Sequence, residues 1–421
     1  MFRKILTLKL RIVSALILKK YRPKIVAITG SVGKSSAKEA VFQVLRGHFF
    51  VRKNEGNFNT EIGVPLTMIG SDTAGKNIFK WVVIFLKAVG LLLGRAKYPE
   101  VLVLEMGADR VGELERLMSW IKPDVSVVTT VGISHLEFFK TREAIRREKG
   151  ALIRALSENG MAILNADDEG SSSLKSESRG RVLTYGLSDG ADVKASELVI
   201  EENDGKFGGT SFELSVNNSE QKIVLRQGLG QPMASSALAA AAVALVFKIP
   251  LPEIAEGLRD FKSLAGRLQV FDGSNGSVII DDTYNSAPAS LKAALDVLKS
   301  FPGKRKICVL GKMAELGEES EKSHKEIGEY VVGLNLDYVF VKNNEAKLIG
   351  EEAVAKGFDK EKLIYFSSNG QAVSELKNIL TAGDVILFKA SQSEYFEDLM
   401  KELLQYSEDH SRLIQRDYTR K

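Results

Sequence analysis

Short apolar runs alternate with segments of helical periodicity between residues 24 and 165. The runs KIVAI (24–28), VLVLE (101–105), DVSVVT (124–129) and MAILN (161–165) are rich in β-branched residues and end at turn-forming residues. The segments between them, AKEAVFQVLRGHF, VGELERLMSW and TREAIRREKGALIRALSE, have helical spacing of their apolar residues. Strands that alternate with helices form a mostly parallel sheet covered on both faces, so this region predicts an α/β domain.

The pattern changes at residue 171 and changes again near residue 228. In residues 171–227, Ser, Gly and Asn are common and the short strands RVLTYG, SFELSV and KIVLR alternate with turns, which predicts a small β insert. The alanine-rich segment ASSALAAAAVALVFK (234–248) predicts a return to helix.

A second α/β pattern begins near Gly266. It predicts strands at 277–282, 306–311, 338–342, 363–366 and 384–389, with helices between them. We therefore place a domain boundary near residues 262–266. The expected organisation is a basic, apolar N-terminal extension (1–23), a first α/β domain (24–264) and a second α/β domain (265–421).

Two segments raise the question of a membrane. Residues 1–20 are basic and apolar, but Lys9 and Arg11 interrupt them, so they fit neither a cleaved signal peptide nor a membrane span. Residues 78–94 (IFKWVVIFLKAVGLLLG) predict a buried or half-buried helix, or alternatively an interfacial helix with its lysines toward lipid headgroups. We expect a cytoplasmic protein with peripheral membrane contact through these two segments.

Composition narrows the class further. The 421 residues suffice for two or three domains, and 44% hydrophobic with 27% charged residues is typical of a globular protein. The net charge of +4 is mild, so we expect no nucleic-acid partner. Cys308 is the only cysteine of the sequence, which excludes an internal disulfide and a thiolate metal cluster, and its apolar neighbours predict a buried strand position.

The stretch TGSVGKSS (29–36) predicts a phosphate-binding loop, because it joins a predicted strand to a predicted helix. Its glycines let the backbone approach an anion at the helix N-terminus, Lys34 reaches a terminal phosphate, and the Ser35 hydroxyl suits Mg²⁺. Ile28 stands where a strict Walker A motif has glycine, and a glycine turn with an incidental lysine is the alternative. The predicted nucleotide contacts are Thr29, Gly30, Ser31, Val32, Gly33, Lys34, Ser35 and Ser36.

Further motifs follow in a fixed order: NFNTEIGVP (57–65), LEMGADRVGEL (104–114), VGISHLEFF (131–139), REKGAL (147–152), ILNADD (163–168), AGRLQV (265–270), IIDDTYNSAP (279–288) and VLGKMAELGEES (309–320). Over about residues 24–400 the chain resembles the Mur ligase family, which forms amide bonds in peptidoglycan precursors. It resembles most closely the MurF branch, which joins D-alanyl-D-alanine to UDP-N-acetylmuramoyl-tripeptide. The resemblance implies a central ATP-binding domain, a C-terminal Rossmann-like domain and an active site in the cleft between them.

The resemblance also implies a reaction and a metal site. ATP would activate the tripeptide carboxylate as an acyl phosphate, which the D-alanyl-D-alanine amine would attack. Glu105, His135 and Lys149 would hold Mg²⁺ together with Ser35, with Lys149 at the position that carries a carbamylated lysine in this family. The alternatives are a structural ion pair for Glu105, a turn residue at His135 and a solvated charge at Lys149.

Four other residues are assigned by the same resemblance. Asn59 would lie near the phosphates, Arg267 would reach the γ-phosphate, and Asp282 and Asn285 would lie on the ribose–phosphate side. The expected catalytic residues are Lys34, Glu105, His135, Lys149 and Arg267. The expected partners are the small-molecule substrates, and the expected cofactors are ATP and Mg²⁺. We expect the chain to be a monomer.

The chain departs from the family pattern in four places. About 23 residues precede the phosphate-loop strand, too few for the family's UDP-binding N-terminal domain. The three other departures lie in GQPMASSALAA (230–240), LGKM (310–313) and KASQSEYFE (389–397), where unusual residues are Pro232, Met233, Ser236, Lys312, Ala390 and Tyr395. The first of these stretches puts the adenine contacts in doubt, and the other two put the binding of the incoming amine in doubt.

Three functions remain open from the sequence. The first is a MurF-like ligase of cell-wall precursor synthesis. The second is a ligase of the same mechanism with another acceptor or amine. The third is a catalytically weak nucleotide-binding partner protein. The joint presence of Lys34, Glu105, His135 and Lys149 favours a working ATPase or ligase whose substrate handling differs.

Overall fold

The structure, a computed structural model, describes residues 2–133, 136–203 and 206–416. His135 lies outside these residues. Two sheets organise the described chain, one built from residues 24–225 and the other from residues 269–389. The predicted α/β class is confirmed.

The first sheet has nine strands within the described residues, in the order β2-β3-β1-β4-β5-β6-β7-β8-β9. They are β1 (Lys24–Thr29), β2 (Val51–Lys53), β3 (Val101–Glu105), β4 (Val125–Val128), β5 (Met161–Asn165), β6 (Arg181–Gly186), β7 (Val193–Asn203), β8 (Lys206–Val216) and β9 (Ser219–Leu225). Strands β1 to β6 pair in parallel, so the loops after their carboxyl ends share one edge of the sheet.

Helices cover both faces of this sheet. They are α1 (Phe2–Tyr21), α2 (Lys34–Leu45), α3 (Gly63–Ile69), α4 (Ile78–Leu93), α5 (Glu113–Met118), α6 (Leu136–Phe139), α7 (Arg142–Arg154), α8 (Glu169–Ser172), α9 (Gly230–Val246) and α10 (Leu251–Arg259). Alternation along β1 assigns the faces: Val26 and Ile28 pack with α2, α9 and α10, whereas Ile25 and Ala27 pack with α1, α3, α4, α5 and α7.

The predicted β insert continues the main sheet instead of forming a separate one. Strand β6 pairs with β5 in parallel, and β7, β8 and β9 extend the same sheet as an antiparallel meander. The buried side chains Phe212, Leu214 and Ile223 belong to the core that α9 covers. Burial of this strand face against the alanine-rich helix explains why the insert extends the sheet.

The second sheet has six strands within the described residues, in the order β10-β11-β15-β12-β13-β14. The strands are β10 (Gln269–Asp272), β11 (Val278–Asp282), β12 (Lys306–Leu310), β13 (Tyr338–Lys342), β14 (Leu363–Phe366) and β15 (Val385–Lys389), and the helices are α11 (Pro288–Ser300), α12 (Ser320–Val332), α13 (Lys347–Ala355), α14 (Asn369–Ile379) and α15 (Phe396–Lys401). All pairs are parallel except β10 with β11. Cys308 is buried in β12, as predicted.

The two segments of uncertain membrane character form helices α1 and α4. Helix α1 buries Leu6, Leu10 and Ile17 in the core that it shares with α3 and α4, and Pro23 follows its end. Helix α4 buries Trp81, Ile84 and Ala88 and exposes most of its other apolar side chains. No helix of the described residues is long and apolar enough to cross a membrane.

Replacement of Leu10 by alanine tests whether α1 is part of the first lobe. The side chain is fully buried, so Leu10→Ala should lower the free energy of unfolding by about 2–5 kcal/mol. Denaturation followed by the fluorescence of Trp81 and Trp120, both packed in or against the same core, gives the measurement.

Leu8→Ala is the matched control, because Leu8 is 54% exposed on the same helix and its loss should change stability by less than about 0.5 kcal/mol. Equal destabilisation by the two substitutions would contradict the packing of α1.

Candidate active site

The loop between β1 and α2 has a backbone shape that requires glycine at two positions. Gly33 has φ +86°, and Gly30 has φ +150° with so little space that a Cβ atom would lie 2.0 Å from Thr129 Oγ1. The Ser31 amide donates to the Thr130 carbonyl at 2.8 Å, which fixes the loop to the end of β4. The N-terminus of α2 therefore opens on a rigid turn, the arrangement that binds phosphate.

Lys34 begins α2 and folds back over this loop. Its Nζ donates to the carbonyls of Gly30 at 2.8 Å and Ser31 at 3.3 Å. Burial lowers the pKa of Lys34, the nearby Glu105 carboxylate opposes this, and the charge of Arg267 lowers the pKa further. An anion beside Nζ would favour the charged form, so the electrostatics of Lys34 suit a phosphate.

Glu105 ends β3 and is held at both its backbone and its side chain. The Asn54 side chain accepts from the Glu105 amide at 2.8 Å and donates to its carbonyl at 2.9 Å. Oε1 accepts from Asn59 Nδ2 at 3.2 Å, whereas Oε2 is buried without a hydrogen bond, 3.5 Å from Lys38 Nζ. A buried carboxylate oxygen without a donor is a ligand position for a cation.

Lys149 and its neighbour Glu148 lie on α7 and face different groups. Glu148 accepts from the amides of Gly112 and Leu114, both at 2.6 Å, and so satisfies the N-terminus of α5. Lys149 is buried, and burial first, then the charge of Lys34, lower its pKa to about 7. The bonds of Glu148 thus fix the helix that places Lys149 beside Lys34.

A cavity of ≈ 380 Å³ lies between the two lobes. It brings together, among the expected residues, Ser31, Val32, Gly33, Lys34, Ser35, Asn59, Glu105, Arg267 and Asn285. Tyr284 joins the lobes, because its hydroxyl donates to Asn57 Oδ1 at 2.9 Å and its ring lies 4.3 Å from the Arg267 guanidinium carbon.

Five other expected residues that the structure describes lie outside the lining of this cavity: Thr29, Gly30, Ser36, Lys149 and Asp282. Thr29 is buried and its hydroxyl donates to the Met106 carbonyl at 2.8 Å. Gly30 lies against Thr129, and Ser36 is buried in the first turn of α2. Asp282 forms an ion pair with Lys389 at 2.7 Å. The Lys389 side chain is only 1% exposed, and a buried lysine needs a carboxylate partner of this kind. The nucleotide contact of Asp282 stays a prediction, as does the role of His135, which lies outside the described residues.

A second cavity of ≈ 490 Å³ lies on the other side of Val32 and Gly33. Most of its lining residues were not predicted from the sequence; they include Thr129, Thr130, Asn165, Asp167, Asp168, Tyr185, Gln231, Ser235, Lys292 and Tyr330. The motif ILNADD supplies three of these residues and was the available signal. The two cavities share Val32, Gly33 and Ser290, so an elongated ligand fits across the loop.

Two of the six residues that depart from the family pattern line the second cavity. Pro232 and Ser236 line the second cavity, and the Ser236 hydroxyl donates to the Pro232 carbonyl at 3.0 Å. Lys312 pairs with Glu345 at 3.8 Å. Tyr395 has φ +57°, and the Arg416 guanidinium lies 4.4 Å from its ring, so a cation from the end of the described chain lies beside this position.

A phosphate loop at the carboxyl edge of a parallel sheet, facing an arginine of a second α/β lobe, defines a two-lobed nucleotide-binding enzyme. Two family models match the chain: the Mur ligase middle domain at residues 88–244 and the Mur ligase glutamate ligase domain at residues 266–392. The chain belongs to the Mur ligase family. It is an ATP-dependent ligase, for which ATP and Mg²⁺ are the cofactors.

Relatives and solved structures point to one branch of the family. The UDP-N-acetylmuramoyl-tripeptide--D-alanyl-D-alanine ligases of Bacillus subtilis and Haemophilus influenzae are 30% and 31% identical to the chain, over 91% of its length and 76% and 77% of theirs. The crystal structure of MurF from Acinetobacter baumannii matches with TM-score 0.79 and 26% identity, over 95% of this chain and 81% of that one. MurF ligase from Thermotoga maritima in complex with ADP matches with TM-score 0.77 and 29% identity, over 96% and 84%.

Substitution of Glu148 tests its role in holding α7. Glu148→Gln loses the charge of two short hydrogen bonds and turns an NH₂ group toward one amide, so the free energy of unfolding should fall by about 1.5–3 kcal/mol. Glu143→Gln, at an exposed position of the same helix, is the control and should be nearly neutral. Tryptophan-monitored denaturation compares the two, and equal stability of both variants would contradict the capping role.

Proposed function

We propose that this ligase joins D-alanyl-D-alanine to UDP-N-acetylmuramoyl-tripeptide, as the names of its relatives describe for them. The tripeptide carboxylate attacks the γ-phosphorus of ATP, giving an acyl phosphate and ADP. The amine then attacks the acyl carbon, and phosphate leaves as the amide forms. The observation that carries the proposal is the inter-lobe cavity, which joins Lys34, Glu105 and Arg267.

Each lobe contributes to the proposed phosphate site. The amides of the β1–α2 loop and Lys34 hold the terminal phosphates from the first lobe. Arg267 approaches from the second lobe and balances the charge that builds during transfer. Asn285 lies on the same side of the cavity, and the second cavity takes the nucleoside. Because the site is divided, closure of the lobes positions the reacting groups.

The residues present fit Mg²⁺, with Glu105 Oε2 as the buried oxygen that lacks a donor. The described residues contain no group of three His, Cys, Asp or Glu side chains suited to a metal, and a further anion would add to the charge of Glu105. We propose that Lys149 supplies it as a carbamate, with Ser35 and His135 as further ligands. Bound Mg²⁺ would offset phosphate charge and orient the phosphate chain.

We propose an extension at residues 1–23, an ATP-binding domain at 24–264 and a Rossmann-like domain at 265–421. We also propose a monomer that acts in the cytoplasm, with peripheral membrane contact through residues 1–20 and 78–94. The altered residues Lys312, Ala390 and Tyr395 of the second lobe favour, as a second candidate, the same reaction with a different acceptor or amine.

Product mass tests the reaction directly. Purified protein with ATP, Mg²⁺ and UDP-N-acetylmuramoyl-tripeptide should form the amide product only when D-alanyl-D-alanine is added. Lys34→Ala should reduce turnover at least about a hundredfold, because it removes the cation of the phosphate loop. Lys299→Ala, at an exposed position of α11, is the control and should keep full activity.

Three outcomes separate the candidates. Turnover with other amines or acceptors alone would select the second candidate. ATP binding without turnover would select the nucleotide-binding partner protein. Full activity of Lys34→Ala would remove the loop from the mechanism.

Carbamylation of Lys149 has a spectroscopic test. Protein equilibrated with ¹³C-bicarbonate should show a carbamate carbon resonance that Lys149→Arg lacks and that Lys175→Arg, at an exposed site, retains. The resonance should grow between about pH 6 and about pH 8, because the reactive neutral amine becomes the main form as pH rises through a pKa of about 7. Identical spectra of the two variants would contradict the modification.

A further inference from the structure

Helices α1 and α4 carry most of the apolar surface of the described chain. Of the eighteen large apolar or aromatic side chains that are exposed among the described residues, eleven lie on these two helices. They are Ile5, Leu8, Ile12 and Leu16 on α1, and Ile78, Phe79, Val82, Val83, Leu86, Val89 and Leu93 on α4. Phe79 and Leu93 are each 84% exposed. We call these eleven side chains the apolar patch; such a concentration marks an interaction site.

The two helices form one surface. The C-terminal turn of α1 is bound to that of α4, because Lys20 Nζ donates to the carbonyls of Leu91 and Leu92 at 2.7 and 2.9 Å and the Tyr21 hydroxyl donates to the Leu91 carbonyl at 2.8 Å. On α1 the exposed apolar residues recur every three or four positions, opposite the buried stripe of Leu6, Leu10 and Ile17. The helix therefore packs by one face and presents a second apolar face to solvent.

Positive charge is concentrated around this surface. Residues 1–24 and 73–99 contain thirteen Lys and Arg residues, all exposed, and no Asp or Glu. The remainder of the chain has 45 Lys and Arg against 54 Asp and Glu, a net charge of −9. The mild overall charge of +4 thus conceals a strongly polarised molecule.

We infer that the apolar patch docks on the surface of a bilayer that contains anionic lipid. The inference rests on the proposed membrane contact and not on the ligase reaction. Apolar side chains between exposed lysines match the boundary between acyl chains and phosphate headgroups, where the lysine stems reach outward to the phosphates. A second copy of this surface is disfavoured because it would place two sets of thirteen positive charges against each other.

The position of the patch is compatible with catalysis. Helices α1 and α4 cover one face of the first sheet, whereas the inter-lobe cavity lies at the carboxyl edge of β1 and β3. Docking by that face leaves the cavity open to its substrates. Because no helix of the described residues can span a bilayer, the contact is peripheral and reversible.

Sedimentation with vesicles tests the inference. The full chain should pellet with vesicles in which about a third of the phosphatidylcholine is replaced by phosphatidylglycerol, and less with phosphatidylcholine alone. Added salt should weaken the binding, because the exposed lysines contribute to it. Phe79→Glu combined with Leu86→Glu should lower the partition coefficient about tenfold or more, because charge replaces two inserted side chains.

Val199→Glu combined with Tyr406→Glu is the matched control. Both residues are exposed outside the apolar patch, and the change in net charge is the same. This variant should bind vesicles within about twofold of the unmodified chain. Both double variants should keep the unmodified melting temperature and, in solution without vesicles, the same ligase activity, because neither alters the inter-lobe cavity.

Several results would overturn docking. One is absence of the unmodified chain from the anionic vesicle pellet, and another is an equal loss of binding in the two double variants. Concentration-dependent dimerisation that Phe79→Glu with Leu86→Glu abolishes would assign the patch to a second copy. Vesicle binding without any turnover would refute the ligase proposal and leave docking in place.

Discussion

The active site is built around charged side chains that are incompletely paired at the carboxyl ends of β1 and β3. Glu105 is buried there and Lys34 is half-buried, yet Glu105 Oε2 has no hydrogen bond and Lys34 Nζ donates to carbonyls of its own loop. Such groups are costly unless a ligand completes them. Asn54 holds the backbone of Glu105 and Thr130 holds the loop. Lys38 Nζ, 3.5 Å from Glu105 Oε2, balances the carboxylate charge only in part because it makes no hydrogen bond to it.

The same incomplete pairing of charge explains why the site is divided between two lobes. Arg267 adds positive charge to the cavity and helps to lower the pKa of Lys34, so the two cations are brought together only at some cost. A nucleotide phosphate placed between Lys34 and Arg267 would attract both cations and so offset their repulsion. The hydrogen bond from Tyr284 to Asn57 is an uncharged contact between the lobes, and it lies beside the two cations. Under the proposed function, closure and nucleotide binding would be linked through charge.

Periodicity predicted most of the fold because the parallel strands are buried on both faces and read as continuous apolar runs. It failed for β7 and β10, which are partly exposed and carry polar residues, and it gave no pairing for the insert, since sheet membership is a long-range property. Motifs placed Lys34, Glu105 and Arg267 at one cavity. They did not predict the ion pair between Asp282 and Lys389, because the burial of Lys389 arises only when the second lobe has folded.

Lysine shows how strongly environment decides chemistry in this chain. Beside the phosphate loop, burial lowers the pKa of Lys34 and an anion would restore its charge. Next to it, burial and that same charge bring Lys149 to a pKa of about 7, where a neutral amine is available to react. On α1 and α4, lysines such as Lys4 and Lys80 are exposed and act through long-range charge. In the proposed function, one residue type would supply a phosphate ligand and a modifiable nucleophile beside the β1–α2 loop, and surface charge on the exposed sides of α1 and α4.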